Sequence, residues 1–137
     1  MMEPYGTLTF DEAYDIFAEM VKSGVGAGAD LIVIETMTDL YEARAAVLAA
    51  KEQSTLPVFV TMTFEKNGRT FAGTSLESFA AVMNALQVDA FGINCSLGPA
   101  ELLPLAERLS KLTNRPLIIK PNAGLPDPKD GSYHVSA

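Results

Sequence analysis

The chain has 137 residues, 48% of them hydrophobic and 20% charged, with 17 acidic against 10 basic side chains and a net charge of −7. That much apolar side chain can bury a core, which excludes global disorder, and the length is that of one ordinary domain. The acidic balance argues against nucleic-acid binding, which needs basic residues to displace phosphate counterions, and against an anionic membrane surface.

The start, Met1-Met2-Glu3-Pro4-Tyr5, has neither the basic flank nor the apolar stretch of a signal peptide. No apolar run approaches the roughly 20 residues of a membrane span, so a cytoplasmic protein is expected. Thr9-Phe10-Asp11-Glu12 reads as a capping box. The helix it opens spaces Phe10, Ala13, Phe17, Met20 and Val21 along one face and should stop near Ser23, where Gly24, Gly26 and Gly28 begin. Those glycines precede a strand, whereas a dinucleotide fingerprint follows one. They read as a helix stop and a close helix–strand passage. Leu31-Ile32-Val33-Ile34 is a short buried parallel strand. Asp39 to Glu52 is a second helix, and Val58 to Thr63 a second strand. Asn67-Gly68 is a tight-turn signal, which suggests a small hairpin from Phe64 to Phe71. Thr74-Ser75-Leu76-Glu77 is a second capping box, opening a helix to about Leu86. Ala90 to Asn94 is a third strand, Pro99 to Leu112 a helix, Leu117 to Lys120 a fourth strand, and Pro121 to Ala137 a loop.

The strands start near residues 31, 58, 90 and 117, the spacing of βαβ units. The fold class is α/β with a parallel sheet, either a small doubly wound domain or part of a (β/α)8 barrel. A full barrel needs about 250 residues and eight strands. Four strands would be half of one, with two open edges, and open edges recruit other strands. Self-association through those edges is therefore expected.

Ligands of parallel α/β proteins bind at the carboxyl ends of the strands. The four ends here carry Glu35-Thr36, then Thr61 and Thr63 with Thr74 beyond the loop, then Asn94-Cys95-Ser96, then Lys120-Pro121-Asn122. Each alone is an ordinary polar strand end or helix cap. Unlike reactive groups at four adjacent ends point to a site. Cys95 is the single cysteine, so no internal disulfide forms and no zinc site is built from several thiolates of this chain. A lone cysteine is commonly a small buried hydrophobe. This one follows a strand and precedes a helix, a setting that suits a thiolate nucleophile or metal ligand. His134, the single histidine, sits in the tail and is poorly placed as its base. Lys120 could suggest a Schiff-base lysine, but Pro121 after it reads as a turn.

Three segments occur in order: Gly28 to Thr36 ending in Glu35-Thr36, Gly92-Ile93-Asn94-Cys95 followed by Ser96-Leu97-Gly98-Pro99, and Lys120-Pro121-Asn122-Ala123-Gly124-Leu125-Pro126. With Glu3-Pro4-Tyr5-Gly6 before a capped helix, they resemble the homocysteine-binding domain of cobalamin-dependent methionine synthases, in the homocysteine S-methyltransferase family. The resemblance implies one domain over residues 1–137, a partial (β/α)8 TIM barrel of about four βα units, incomplete at both ends. It implies zinc, with Cys95 as one of three cysteine ligands. The other two belong to a Gly-Gly-Cys-Cys segment that these residues do not contain. Zinc would hold homocysteine as a thiolate, and methylcobalamin on a separate module would donate the methyl group. Cobalamin-binding and folate-binding modules are then the partners. Glu35 matches the glutamate that holds the substrate ammonium. Asn94 would position the zinc loop or the substrate, and Asn122 and Thr74 would be rim contacts. The 137 residues alone are expected to be inactive. The alternative is a non-catalytic α/β fragment or oligomeric binding module without zinc.

Overall fold

The structure, a computed structural model, describes residues 2–124, 126–127 and 129–133, so His134 lies outside the described residues. Its elements are α1 (Phe10–Gly26), β1 (Ile32–Met37), α2 (Leu40–Gln53), β2 (Val58–Met62), α3 (Leu76–Ala85), β3 (Ala90–Asn94), α4 (Pro99–Ser110) and β4 (Leu117–Lys120). The four strands form one sheet in the order β1-β2-β3-β4, and every pairing is parallel. Strands and helices alternate as the spacing of the apolar runs predicts.

Side chains set the helix starts. The Glu12 amide donates to Thr9 Oγ1 at 3.3 Å, and the Thr9 amide donates to Glu12 Oε2 at 3.0 Å, a complete capping box. Asp39 Oδ1 accepts from the Tyr41 amide at 2.7 Å and opens α2. At α3 the cap is Ser75, one residue later than the sequence suggests, and it accepts from the Ser78 amide at 3.1 Å. That shift moves Glu77 out of the capping position. Its carboxylate instead meets Arg108 of α4 at 2.6 Å.

Thr9→Ala should cost about 1 kcal/mol, the usual loss for a hydroxyl cap, read as a lower urea midpoint. Hydrogen bonds from the Thr9 backbone and side chain hold the Glu12 carboxyl below the usual carboxylate range. A depressed folded-state value gives stability that is present above the unfolded value and lost as pH falls through the folded one. The gap between the protein and Thr9→Ala should therefore narrow in acid. It should not close, because the bond from the Glu12 amide to the Thr9 hydroxyl survives protonation.

Two local expectations are corrected. Helix α1 runs past Ser23 to Gly26, and Gly28 takes the left-handed turn at φ +88°. A Cβ at Gly24, Gly26 or Gly28 would meet nothing within 4 Å, so these glycines end the helix without serving a close strand passage. Met20, expected on the buried face, is exposed. The second correction concerns residues 64–75. The Asn67-Gly68 turn forms, with Glu65 and Arg69 joined through their backbones at 2.8 Å, but only an isolated bridge between Arg69 and Ser75 follows. Phe64 explains this: it is fully buried, its ring 5.6 Å from that of Phe79, and it draws the segment into the core rather than above the sheet.

The core lies between the sheet and the helices. The register row Ile34–Val60–Phe91–Leu117 and the row Met37–Met62–Ile93–Ile119 pack against Val47, Phe79, Met83, Leu102 and Leu109. Buried alanines at 43, 45, 46, 49 and 50 keep α2 thin on several sides, so it fits between α1 and the sheet. The alternate row carries Thr61, Gly92 and Ile118 on the opposite face of the sheet. β1 and β4 are the edge strands among the described residues. Beside β1, exposed Met20, Val25, Leu31 and Val33 border an apolar groove of about 380 Å³ between α1 and the strand. Among the described residues no helix is long and apolar enough to cross a membrane.

Candidate functional site at the strand ends

The site begins with a fault in register. Ile34 pairs with Val60 and Met37 with Met62, so Glu35 and Thr36 together face Thr61. An extra residue of this kind bends the strand and redirects side chains. Thr36 absorbs the bend in the left-handed region, at φ 62°. Its amide donates to the buried Thr61 hydroxyl at 3.4 Å. Its own hydroxyl accepts from Asn94 Nδ2 at 2.6 Å. The same Asn94 nitrogen lies 3.2 Å from Cys95 Sγ and donates to it. One amide group thus ties the end of β1 to the sulfur after β3.

The turn after β3 is unusual for its residue types. Cys95 and Ser96 both have positive φ, 59° and 62°. Side chains other than glycine rarely adopt that region, and such strain collects at functional sites. Backbone bonds over-determine the turn. The Cys95 amide donates to the Lys120 carbonyl at 3.1 Å, the Leu97 amide to the Cys95 carbonyl at 2.7 Å, and the Asn122 amide to the Leu97 carbonyl at 2.9 Å. Gly98 allows the close approach: a Cβ there would stand 3.1 Å from the Gly124 Cα. The Asn94-Cys95 segment and the Pro121-Asn122-Ala123-Gly124 segment are therefore packed as one unit.

Asn94 is 2% exposed, and its Oδ1 has no hydrogen-bond partner among the described residues. A buried acceptor left unpaired costs free energy, so native proteins seldom keep one without use. Glu35 and Lys120 form an ion pair, each about half exposed. They come from the two outermost strands, β1 and β4.

Of the residues picked from the sequence, Glu35, Asn94, Cys95 and Asn122 converge on this rim. Thr74 does not join them. It lines a separate recess with Pro4, Tyr5, Tyr41 and Val82, and its amide donates to Thr70 Oγ1 at 3.2 Å. Thr36, Thr61 and Lys120, named at the strand ends but given no role there, also lie at this site. The sequence signal for Thr61 is a hydroxyl in an otherwise apolar strand, Val58-Phe59-Val60-Thr61-Met62.

Cys95 is a free, partly buried thiol. No three His, Cys, Asp or Glu side chains among the described residues come together to hold a metal ion. A closed zinc site takes four ligands. Cys95 can supply one sulfur donor, and the described residues do not complete the set by themselves.

Comparison with known proteins places this arrangement. The family model for homocysteine S-methyltransferase matches residues 1–137. A methionine synthase from Mycobacterium leprae is 37% identical over 117 residues, covering 82% of this chain and 10% of that protein. The fold superposes on homocysteine methyltransferase MmuM from Escherichia coli. For the apo form the TM-score is 0.77 at 24% identity, over 89% of this chain and 46% of that one. For the metallated form it is 0.78 at 25% identity, over 87% and 41%. The chain thus spans about a tenth of the methionine synthase and under half of the solved homocysteine methyltransferase. Its four parallel βα units are a partial (β/α)8 barrel, and the chain belongs to the homocysteine S-methyltransferase family.

Proposed function

We propose that these residues form part of the homocysteine site of a methionine-synthase-type methyltransferase, in which homocysteine accepts a methyl group from methylcobalamin to give methionine. The observation that carries the reading is the single Asn94 amide bonded both to Thr36 and to Cys95 Sγ, which fixes a thiol at the strand-end rim. In this reading Glu35 receives the substrate ammonium, an opposite-charge contact with hydrogen bonds. Asn94 holds the cysteine turn in place, and Asn122, bonded through its backbone to Leu97, braces it from the other side. Cys95 is one ligand of a zinc ion whose remaining protein ligands lie outside the described residues. That a relative's structure is described as metallated supports a metal here. Cobalamin-binding and folate-binding modules are the proposed partners, in a cytoplasmic setting.

Titration calorimetry of homocysteine into the full-length protein that carries these residues and the remaining metal ligands, with and without equimolar zinc, tests this. Saturable heat that depends on zinc is the expected result. Absence of heat under both conditions would favour a non-catalytic α/β module, whose open β1 edge and apolar groove would then be its working surface.

A further inference from the structure

We propose that Thr36 is a positioning residue for the Cys95 sulfur: its hydroxyl anchors the Asn94 amide so that an N–H of that amide stays aimed at Sγ. The inference rests on the metal-ligand reading of Cys95 above and goes beyond it, since nothing in that reading requires Thr36. Three observations support it.

The first is the hold on the amide. The terminal torsion of an asparagine is broad and roughly two-fold, so the backbone alone does not fix where its amide points. Asn94 is 2% exposed, and its Oδ1 has no partner among the described residues. Its Nδ2 donates to Thr36 Oγ1 at 2.6 Å and to Cys95 Sγ at 3.2 Å. Apart from the sulfur itself, the Thr36 hydroxyl is thus the one hydrogen-bond anchor of this side chain among the described residues.

The second is the register fault. Phe91 and Ile93 pack into the helix-facing core, so Asn94 lies on the other face of the sheet, with Gly92 and its partner Thr61. Ile34 also packs into that core. In a regular strand Thr36, two residues on, would follow it there, away from Asn94. The extra residue in β1 and the left-handed Thr36 backbone at φ 62° prevent this and bring the hydroxyl to Asn94. A β-branched residue in that region is an outlier, and such strain collects at functional sites.

The third is the chemistry of the acceptor. A thiolate has no proton to donate, so a metal-bound sulfur needs the nitrogen end of the Asn94 amide and not its oxygen. That orientation leaves Oδ1 buried and unpaired, which costs free energy. An anchor on the nitrogen side offsets the cost, and Thr36 supplies it. Groups that bond a metal ligand from outside orient it and tune the metal.

The test uses the full-length protein that carries these residues and the remaining metal ligands, loaded with cobalt(II) in place of zinc. An N–H bonded to a metal-bound thiolate stabilises the sulfur lone pairs and raises the energy of the sulfur-to-cobalt charge-transfer band. Thr36→Val keeps the size and β-branching of threonine and removes the hydroxyl. Thr36 is exposed, so no buried cavity forms. The variant should move the band to longer wavelength and weaken zinc binding about tenfold, the lower end of what losing an outer partner of a metal ligand costs. Thr36→Ser keeps the hydroxyl and should retain the band and the affinity of the unaltered protein. A role confined to packing would lower the unfolding midpoint of Thr36→Val and leave the band in place. That result would overturn the inference while leaving the metal reading intact. A band displaced in Thr36→Ser would overturn it as well, whether or not the valine variant folds. A band that is absent from the unaltered protein, or unchanged by Cys95→Ser, would instead sink the metal reading of Cys95, and the role of Thr36 with it.

Discussion

Gly92→Ala should lower stability by an amount at the upper end of the roughly 1–3 kcal/mol typical of overpacking, or more. A Cβ at Gly92 would overlap the backbone carbonyl of Ile118 on the neighbouring strand and stand 2.8 Å from the Ile118 nitrogen. Gly92 and Ile118 are register partners in the β3–β4 pairing. No rotamer change relieves a clash with backbone, so relief requires the two strands to move apart. That movement would break the register that carries Asn94 to Lys120 two positions on. Gly24→Ala is the control. Gly24 lies within α1, with open space where the methyl would go, so alanine there should stabilise by up to about 1 kcal/mol through helix propensity. Urea unfolding of both variants checks the pair. A wild-type midpoint for Gly92→Ala would show that the sheet relaxes freely at this point, and the tight β3–β4 contact would then have no mechanical role.

The contrast between those two glycines shows what a sequence can and cannot tell. Nothing local in the chain says which of them tolerates a methyl group, and only the partner strand distinguishes them. The strands themselves were legible as short, branched apolar runs, as in Leu31-Ile32-Val33-Ile34 and Leu117-Ile118-Ile119, but the full burial that such a run implies fails at the β1 edge, where Leu31 and Val33 are exposed. Reading the residues after each run then found Glu35, Asn94, Cys95 and Asn122, since topology alone brings the ends of parallel strands together. Thr36 and Thr61 were named as strand ends without a role, because a register fault is a relation between two strands and Glu35-Thr36 reads locally as a plain strand end. Lys120 was set aside because Pro121 suggested a turn, while its ion-pair partner lies 85 positions away. At α3, Thr74 and Ser75 are both good caps, and local pattern could not choose between them. The structure chose Ser75, because Thr70 already satisfies the Thr74 amide.

Cys95→Ser should abolish zinc-dependent homocysteine binding in the full-length protein while leaving its unfolding midpoint nearly unchanged. The two effects separate because the sulfur and the turn are held by different bonds. The turn depends on backbone groups: Cys95 to Lys120, Leu97 to Cys95, and Asn122 to Leu97. A serine makes the same backbone bonds, and its oxygen can accept from Asn94 Nδ2 as the sulfur does. What it cannot do is act as a soft thiolate ligand, the property for which zinc sites use cysteine. Asn94→Ala should behave in the opposite way. It removes the donor to Thr36 and to Cys95 Sγ from a position that is 2% exposed, so it should cost stability as well as binding. Metal content per chain, homocysteine calorimetry and urea unfolding on the same preparations read the three effects. Zinc-dependent binding that survives in Cys95→Ser would remove Cys95 from the metal site. A large loss of stability in that variant would instead assign the thiol to packing, the ordinary role of a lone cysteine beside a buried strand.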